Sequence, residues 1–110
     1  MRLVYLAHPY GGDPANLSRA RRWLRWACQS APARVAPMAP WILMCELFPG
    51  EIPAEVERES ARQDALVARC DELWLVGGRI SPSMRREVAA ALEAGVAIKD
   101  FTGLGAEPPA

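Results

Sequence analysis

Apolar residues fall along this chain in two kinds of pattern: short unbroken runs, and longer stretches in which they recur every three or four positions. A short unbroken run is typical of a strand that is buried on both faces in a parallel sheet. A three-to-four spacing is typical of a helix with one buried face. These patterns predict strands over 2–7, 34–38, 73–76 and 96–98, and helices over 14–29, 54–70 and 81–95.

The order of these elements determines the predicted fold class. Strands that alternate with helices indicate a parallel sheet with right-handed crossovers. We therefore expect an α/β fold, with one flavodoxin-like or Rossmann-like domain over residues 1–102 whose four- or five-stranded parallel sheet is flanked by helices. Residues 103–110 contain glycine and two prolines, and we expect an irregular tail there.

The segment from Ala39 to Pro53 shows no clear periodicity. Prolines at 40, 49 and 53, together with Gly50, predict a long loop that contains about one helical turn. A loop of this length in a compact domain is usually functional, for example as a lid.

Composition narrows the class of partner. The chain has 13 basic and 13 acidic residues and no net charge, which argues against a nucleic-acid polymer or an acidic membrane as its partner. No apolar run approaches the ~20 residues that span a bilayer. Three cysteines without a CxxC pair, and a single histidine, make a zinc site unexpected. We expect three free thiols packed as small hydrophobic groups, a cytoplasmic protein, and no cofactor or metal.

The parallel sheet predicts where a ligand binds. Ligands of such sheets lie outside the carboxyl ends of the strands, at the point where the strand order reverses. Three segments meet there: 7–12, 38–49 and 77–83. His8 would face this pocket, either as a neutral structural residue or as a hydrogen-bonding partner of the substrate.

Two carboxylates are predicted on inward helix faces. Glu87 lies on or beside the apolar stripe of its helix, which is formed by Met84, Val88, Ala91 and Leu92. Asp64 shares a face of the preceding helix with Val56, Ser60 and Val67. A carboxylate directed at a core is unfavourable by several kcal/mol unless it is paired or lies in a cavity. Two alternatives stay open: both acids pair with arginines at the edges of their stripes, or they form the carboxylate pair that cleaves a glycosidic bond.

The turn from Gly77 and Gly78 to Ser83 leads into a helix start. Its backbone N–H groups would suit an anion or a hydroxyl, with Ser81 as both helix cap and ligand contact. A plain turn with a capped helix is the alternative. Gly11 and Gly12 lack the GxGxxG spacing, so a dinucleotide fingerprint is not expected.

Two tryptophans bear on oligomeric state. Trp23 and Trp26 lie away from the stripe predicted for their helix, which is Leu17, Ala20, Leu24 and Cys28. Exposed tryptophans on one face favour a subunit interface. Alternatively, they cover the edge of the sheet.

Two blocks of sequence resemble the nucleoside 2-deoxyribosyltransferase-like superfamily. The first is Tyr5-Leu6-Ala7-His8-Pro9-Tyr10 followed by Asn16, which is similar to the opening of that superfamily. The second runs from Cys70 to Ala91, where a strand leads to Ser81 and then to Glu87, six residues later, on a helix with small residues. Gln63-Asp64 also lies where the superfamily places an aspartate. The resemblance covers nearly the whole chain, although Ser83 stands where many relatives have glycine.

This resemblance implies a reaction at the N-glycosidic bond of a nucleoside or nucleoside 5′-monophosphate, by hydrolysis or by deoxyribosyl transfer. It implies that Glu87 is the nucleophile, that Asp64 assists at the base or orients the sugar, and that Tyr5 contacts the sugar or positions Glu87. Ser81 would bind a hydroxyl or a 5′-phosphate, and the remaining binding residues would be Ala7, His8, Gly11, Gly12, Gly77, Gly78 and Ser83. A homodimer or higher oligomer is also implied, in which a neighbouring subunit completes the pocket. The alternatives are a nucleotide-binding module without turnover and a protein-interaction domain that uses the Trp23 and Trp26 face.

Overall fold

The structure, a computed structural model, describes residues 1–48 and 53–110, and of residues 53–57 only the backbone. Its elements, in chain order, are β1 (Arg2–Ala7), α1 (Pro14–Ser30), β2 (Val35–Met38), α2 (Pro40–Leu47), α3 (Pro53–Arg69), β3 (Glu72–Leu75), α4 (Pro82–Ala94), β4 (Ala97–Asp100) and a 3₁₀ turn over Thr102–Leu104. Within the described residues the sheet has four strands in the order β2-β1-β3-β4, and every pairing is parallel. The predicted α/β fold is confirmed.

The strand order places a switch point between β1 and β3. The chain moves from β1 to β2 in one direction and then crosses back to β3 on the other side of β1. Right-handed crossovers therefore place α1 on one face of the sheet and α3 and α4 on the other. α3 packs against α4 there, and residues of both helices meet Tyr5 of β1 and His8 around one cavity. This is the place where ligands of such sheets bind.

The segment predicted as a long loop contains a full helix, α2. Pro40 is the first helical residue, a position where proline has no N–H to lose and its fixed φ suits the helix. The helix was missed because it is apolar on nearly all sides: Trp41 and Ile42 are buried, whereas Leu43 and Leu47 are exposed. Of the rest of the predicted loop, residues 49–52 lie outside the described residues, and Pro53 begins α3.

The buried face of α1 differs from the predicted stripe. Its buried residues are Asn16, Ala20, Trp23 and Ala27. The expectation that Trp23 is exposed was wrong, because its ring is fully buried and its Nε1–H donates to the carbonyl oxygen of Ala106 at 2.9 Å. Cys28, predicted on the buried stripe, is exposed.

Trp26 is half-buried and belongs to a row of aromatic rings. It meets Trp23 edge-on at 5.2 Å between ring centroids and Phe101 at 5.7 Å, and Phe101 in turn meets Trp74 of β3 at 5.2 Å. Of the two alternatives for the tryptophans, this arrangement is the one in which they cover the sheet near its β4 edge.

α4 begins and ends as predicted. The Ser81 hydroxyl accepts a hydrogen bond from the N–H of Met84 at 3.3 Å, and Gly95 closes the helix in the left-handed region with φ of 72°. Met84, Glu87 and Ala91 form its buried face. Leu92, predicted on the stripe, is 68% exposed, because the buried row turns toward Glu87 instead.

The tail is more ordered than expected. After the 3₁₀ turn the chain returns to α1, where the Glu107 carboxylate accepts hydrogen bonds from Arg19 and Arg22. Together with the bond from Trp23 to Ala106, these contacts hold residues 106 and 107 against α1.

A buried carboxylate, Glu72, connects three strands. It accepts hydrogen bonds from Nε of Arg2 in β1 at 3.1 Å, from Nε1 of Trp74 at 3.3 Å and from Nζ of Lys99 in β4 at 2.9 Å. Both oxygens of this acid therefore have cationic partners, and together with the Trp74 bond these partners hold the pKa of Glu72 below its usual range despite burial. No helix within the described residues has the length and apolar content needed to cross a membrane.

Candidate functional site

A cavity of about 160 Å³ lies beside β1, between the sheet and the helices of one face. β1, α2, α3 and α4 all contribute to its walls, and its lining residues are Tyr5, His8, Trp41, Met44, Glu59, Ser60, Gln63, Asp64, Ser83, Arg86 and Glu87. The three residues predicted to carry the chemistry, Tyr5, Asp64 and Glu87, therefore line one cavity.

Glu87 is the most deeply buried acid of the cavity. It lies in the second turn of α4, and only 8% of the residue is exposed. Burial is the largest influence on its pKa and raises it to about 7, with a smaller rise from the charge of Asp64, while a hydrogen bond from Tyr5 acts in the opposite direction. A carboxyl group with such a pKa is about half ionised at neutral pH, which suits a nucleophile or a proton-transfer group.

The Tyr5 hydroxyl links Glu87 to α3. It is fully buried, lies 2.9 Å from Oε1 of Gln63 and also hydrogen-bonds Glu87. Burial, followed by the charge of Glu87, raises the pKa of Tyr5, so the hydroxyl keeps its proton. One hydroxyl proton cannot serve two acceptors, so two arrangements satisfy the trio. Either Tyr5 donates to Gln63 while protonated Glu87 donates to Tyr5, or the Gln63 amide turns over and donates to Tyr5, which then donates to ionised Glu87.

Asp64 combines the two alternatives that the sequence left open. It lines the cavity from α3, and its Oδ2 also accepts a hydrogen bond from Nε of Arg86 at 3.0 Å. Its side chain is 30% exposed and that of Arg86 48% exposed, so the pair lies at the opening of the cavity rather than at its base.

Glu59 was not among the residues that the sequence predicted for the site. In the structure its side chain is only 17% exposed and lines the cavity. One carboxylate oxygen pairs with Arg62, while Oε2 is buried without a hydrogen-bonding partner. Its spacing of four residues from Gln63 places both on one row of α3, a signal that could have identified it.

Two apolar residues of α2 were also missed, because they fall in the segment predicted as a loop. Trp41 and Met44 line the cavity together with the three acids. The Trp41 ring is fixed by a hydrogen bond from Nε1 to the carbonyl oxygen of Leu6 at 2.9 Å and lies 6.3 Å from the Tyr10 ring. The cavity is thus lined by aromatic as well as acidic side chains.

His8, at the end of β1, is almost fully buried, with 3% exposed. Its Nδ1 lies 2.6 Å from the carbonyl oxygen of Pro9. A carbonyl oxygen only accepts, so Nδ1 carries the proton and Nε2 presents a lone pair. Nε2 has no partner. Burial is the largest influence on the His8 pKa and lowers it, which keeps the ring neutral.

His8 also borders a second cavity of about 330 Å³, which Gly77, Gly78, Arg19 and Arg79 help to line. Gly77 has φ of 102°, and a Cβ there would lie 2.6 Å from Cδ2 of His8, so only glycine fits against the ring. The two glycines therefore line this second cavity and not the cavity of Glu87.

The other predicted binding residues are divided. Ser83 lines the cavity of Glu87, with its hydroxyl 3.0 Å from that of Ser81. Ser81 is buried as the helix cap and lines neither cavity. Ala7 is buried within β1, and Gly11 and Gly12 are exposed in left-handed conformations; these three also line neither cavity.

The comparison with known families gives one match. The model of a domain of unknown function, DUF7768, matches residues 2–101. The chain belongs to the DUF7768 family. A search of curated proteins found no match. The description of this family names no activity.

The site of this DUF7768 domain limits the chemistry that it can support. Among its described side chains, no group of three or more His, Cys, Asp and Glu residues is arranged to hold a metal ion. Three carboxylates nevertheless surround one small cavity, and each has a different environment. Asp64 and Glu59 are paired with arginines, whereas Glu87 is buried with a neutral hydroxyl and an amide. A pair of carboxyl groups in unlike environments is the usual equipment for acid–base or covalent chemistry at a sugar.

Proposed function

We propose that this DUF7768 domain cleaves or transfers at the N-glycosidic bond of a nucleoside or nucleoside 5′-monophosphate, through a covalent sugar intermediate on Glu87. The observation that carries the proposal is the buried Glu87 carboxyl group, with its pKa raised to about 7, in a cavity that it shares with Asp64 and Tyr5. The resemblance of both sequence blocks to the nucleoside 2-deoxyribosyltransferase-like superfamily supports the same residues in the same roles.

The reaction divides into two displacements. In the first, the ionised Glu87 carboxylate attacks the anomeric carbon, the carbon–nitrogen bond breaks, and the base leaves with the electron pair and takes up a proton from water at the opening of the cavity. In the second, water or a second base attacks the same carbon and releases its proton to solvent, and the ester bond breaks to regenerate the carboxylate. Two displacements replace one difficult step with two easier ones.

The neighbours of Glu87 have supporting roles in this proposal. The Tyr5 hydroxyl holds the carboxylate in place and, in the arrangement with the Gln63 amide as donor, favours its ionised form. Asp64, held by Arg86 at the opening, is positioned to assist at the base or orient the sugar. Trp41 offers a flat apolar surface, as a nucleobase or sugar ring requires.

We propose that the protein forms a homodimer or higher oligomer in the cytoplasm. Trp23 no longer supports an interface, because it is buried, but α2 and the residue after it expose three apolar side chains: Leu43, Leu47 and Phe48. Sedimentation as a monomer at micromolar concentration would contradict the oligomer. The alternative of a protein-interaction domain that uses the Trp23 and Trp26 face is weakened, because Trp23 is buried and Trp26 is half-buried.

The test is base release from a panel of nucleosides and their 5′-monophosphates, followed by chromatography. We expect Glu87→Gln to lower the turnover rate by about 10³-fold or more, because glutamine keeps the shape but cannot form the ester. Glu93→Gln, an exposed position on the same helix, serves as the matched control and should retain the rate. A Glu87→Gln protein with the wild-type rate would refute the assignment, and a wild type that binds nucleotides without releasing any base would favour the non-catalytic module.

A further inference from the structure

The Tyr5 hydroxyl connects two side chains that compete for its single proton. It is fully buried on β1 and lies 2.9 Å from Oε1 of Gln63 on α3. It also hydrogen-bonds the Glu87 carboxyl group on α4. A hydroxyl group donates one hydrogen bond and accepts others through its lone pairs. Tyr5 therefore donates to only one of these neighbours, and the trio is satisfied only if the other neighbour donates to Tyr5.

Gln63 is the neighbour that can take either role. Half a turn about the last bond of its side chain exchanges the amide oxygen and nitrogen, so the same group either accepts from Tyr5 or donates to it. When the oxygen faces Tyr5, the hydroxyl donates to Gln63, and Glu87 completes the chain as a protonated acid. When the nitrogen faces Tyr5, the hydroxyl donates to an ionised Glu87 carboxylate. Each orientation of the amide thus fits one charge state of Glu87.

The hydrogen bond from Tyr5 is important because the other influences on the Glu87 pKa act against ionisation. Burial is the largest of them, and the charge of Asp64 adds to it; the bond from Tyr5 acts in the opposite direction. A change that removes this bond should therefore favour the neutral acid. The proton of one buried hydroxyl decides how readily Glu87 becomes a carboxylate.

The other groups around this cavity are already constrained. α2 contributes Trp41 and Met44, which carry no charge. The charged or titratable side chains are a histidine kept neutral by burial, a thiol whose pKa burial raises, and two ion pairs: His8, Cys70, Glu59 with Arg62, and Asp64 with Arg86. Within this described set both cations are paired with another acid, so the ionisation of Glu87 depends on the donation from Tyr5.

We propose that Gln63 is a positioning residue for Glu87: its amide donates to Tyr5 when Glu87 is ionised and accepts from Tyr5 when Glu87 is protonated. The role of Glu87 as nucleophile rests on the proposed function, whereas the link from Gln63 through Tyr5 is a property of the fold. In the proposed reaction the donating orientation serves the attack. It also serves the ester, whose carbonyl oxygen accepts from Tyr5 in the same way.

Nuclear magnetic resonance tests this link without any substrate. The chain has two glutamines, Gln29 and Gln63, so isotope-labelled protein gives two pairs of glutamine side-chain amide signals. A pH titration follows the Gln63 amide together with the carboxyl carbon of Glu87, which is assigned by its absence in Glu87→Gln. We expect both signals to change with the same midpoint, because the amide turns as Glu87 gains its proton. Gln29, exposed on α1, is the internal control and should not follow this titration.

Tyr5→Phe removes the link and keeps the ring. In this variant the Gln63 amide should lose its response to the titration of Glu87, since the two side chains no longer share a hydroxyl. An amide that responds as strongly in Tyr5→Phe as in the wild type would report the charge of Glu87 through space and would overturn the inference. An amide without any response in the wild type would overturn it as well.

Gln63→Glu tests the consequence for the reaction. An ionised carboxylate at this position only accepts, so it keeps the Tyr5 proton and deprives ionised Glu87 of its donor. Losing a hydrogen bond to a charged group changes an equilibrium constant by about 10- to 100-fold. The acidic limb of the pH profile of kcat/KM should therefore move upward by about 1–2 pH units. Gln29→Glu, with the same charge change on an exposed face of α1, is the matched control and should keep the wild-type profile.

The same substitution combined with Tyr5→Phe separates the hydroxyl from the added charge. Without the hydroxyl, the new carboxylate acts on the Glu87 carboxyl signal through space alone, so the change in titration midpoint should be smaller than in the presence of Tyr5. An equal change in both backgrounds would overturn the inference.

The outcomes keep the two proposals apart. If no nucleoside is turned over, but the Gln63 amide follows Glu87 in the wild type and not in Tyr5→Phe, the proposed function falls while the link stands. If nucleosides are turned over and the profile of Gln63→Glu matches that of Gln29→Glu, the inference falls while the proposed function stands. Should Gln63→Glu fail to fold, the titration of the wild-type amide decides, because it needs no change at position 63.

Discussion

Replacing the buried acid Glu87 with glutamine should make the protein more stable at alkaline pH, although it removes the proposed nucleophile. In the folded state burial raises the pKa of Glu87 to about 7 from an ordinary value of 4.5. Below pH 4.5 the group is neutral in both the folded and the unfolded chain and has no effect on their balance. As pH rises from 4.5 through 7, the unfolded chain releases the proton first, so the folded state loses stability.

The size of the effect follows from these two values. Each pKa step corresponds to ~1.36 kcal/mol, so the interval between 4.5 and about 7 sets a ceiling of about 3 kcal/mol. Glu87 is only 8% exposed, so solvent screening reduces this figure little. Glutamine remains neutral at every pH, and it keeps a carbonyl that accepts from Tyr5. We expect the variant to exceed the wild type by about 1–3 kcal/mol in free energy of unfolding at pH 8, and by little at pH 5.

Urea titrations at pH 5, 6, 7 and 8, followed by tryptophan fluorescence, measure this difference, since buried Trp23 reports on the folded core. The comparison between variant and wild type cancels the contribution of His8, whose lowered pKa affects both proteins alike. Glu93→Gln, at an exposed position of the same helix, is the matched control and should differ from the wild type by less than ~0.5 kcal/mol at every pH.

A constant difference between Glu87→Gln and the wild type across this pH range would refute the reasoning, because it would mean that Glu87 does not titrate differently in the folded chain. A variant that is less stable at pH 8 than at pH 5, relative to the wild type, would show that the carboxylate is favoured in the fold. In that case burial would not raise the pKa of Glu87, and the raised pKa could no longer serve as support for the proposed mechanism.

Two further predictions concern positions outside the cavity of Glu87. Gly77→Ala should lower the free energy of unfolding by at least ~1–3 kcal/mol in thermal denaturation, because φ at Gly77 is 102° and the added Cβ would lie 2.7 Å from Cδ of Pro9. Gly103→Ala is the control and should be neutral, because a Cβ there meets nothing within 4 Å. Glu72→Gln should lower the free energy of unfolding by ~1–3 kcal/mol at pH 7 in urea titrations. Because Lys99, Arg2 and Trp74 lower the pKa of Glu72, this difference from the wild type should shrink as pH falls below 4.5. A Glu72→Gln deficit that persists unchanged at pH 3 would count against a charge-based role.

The elements of the fold could be predicted because their signals are local. β1 and β3 are short apolar runs, and α4 begins with a serine cap followed by a proline. α2 could not be predicted in the same way, because Pro40 marks its first turn rather than a break and its apolar residues show no period. The buried face of α1 could not be predicted from local patterns either, because a stripe through Leu24 and a stripe through Trp23 have the same spacing. The Trp23 ring is held by a hydrogen bond to Ala106, which is 83 residues away along the chain.

The candidate site was predicted in part for a similar reason. Glu87 and Asp64 could be found because each interrupts an apolar face, and a polar residue on such a face is informative in itself. Glu59 stands among other charged residues at the start of α3, so its sequence context is that of a solvated surface. Glu59 lines the cavity together with Trp41 and Met44 of α2, and α2 packs against α3 but is the element that the sequence did not predict.

The distribution of unfavourable groups argues that this cavity is a binding site whatever reaction it supports. Elsewhere in the described chain, buried polar side chains have partners: Glu72 has two cations and an indole N–H, and Asn16 bonds the carbonyl oxygen of Tyr10. In the cavity, by contrast, an acid is held with a raised pKa, and both unpartnered atoms belong to its lining residues. Groups whose pKa is shifted by burial cluster at functional sites. A ligand that occupies this cavity should therefore also stabilise the fold, since binding to the folded state alone raises the free energy of unfolding.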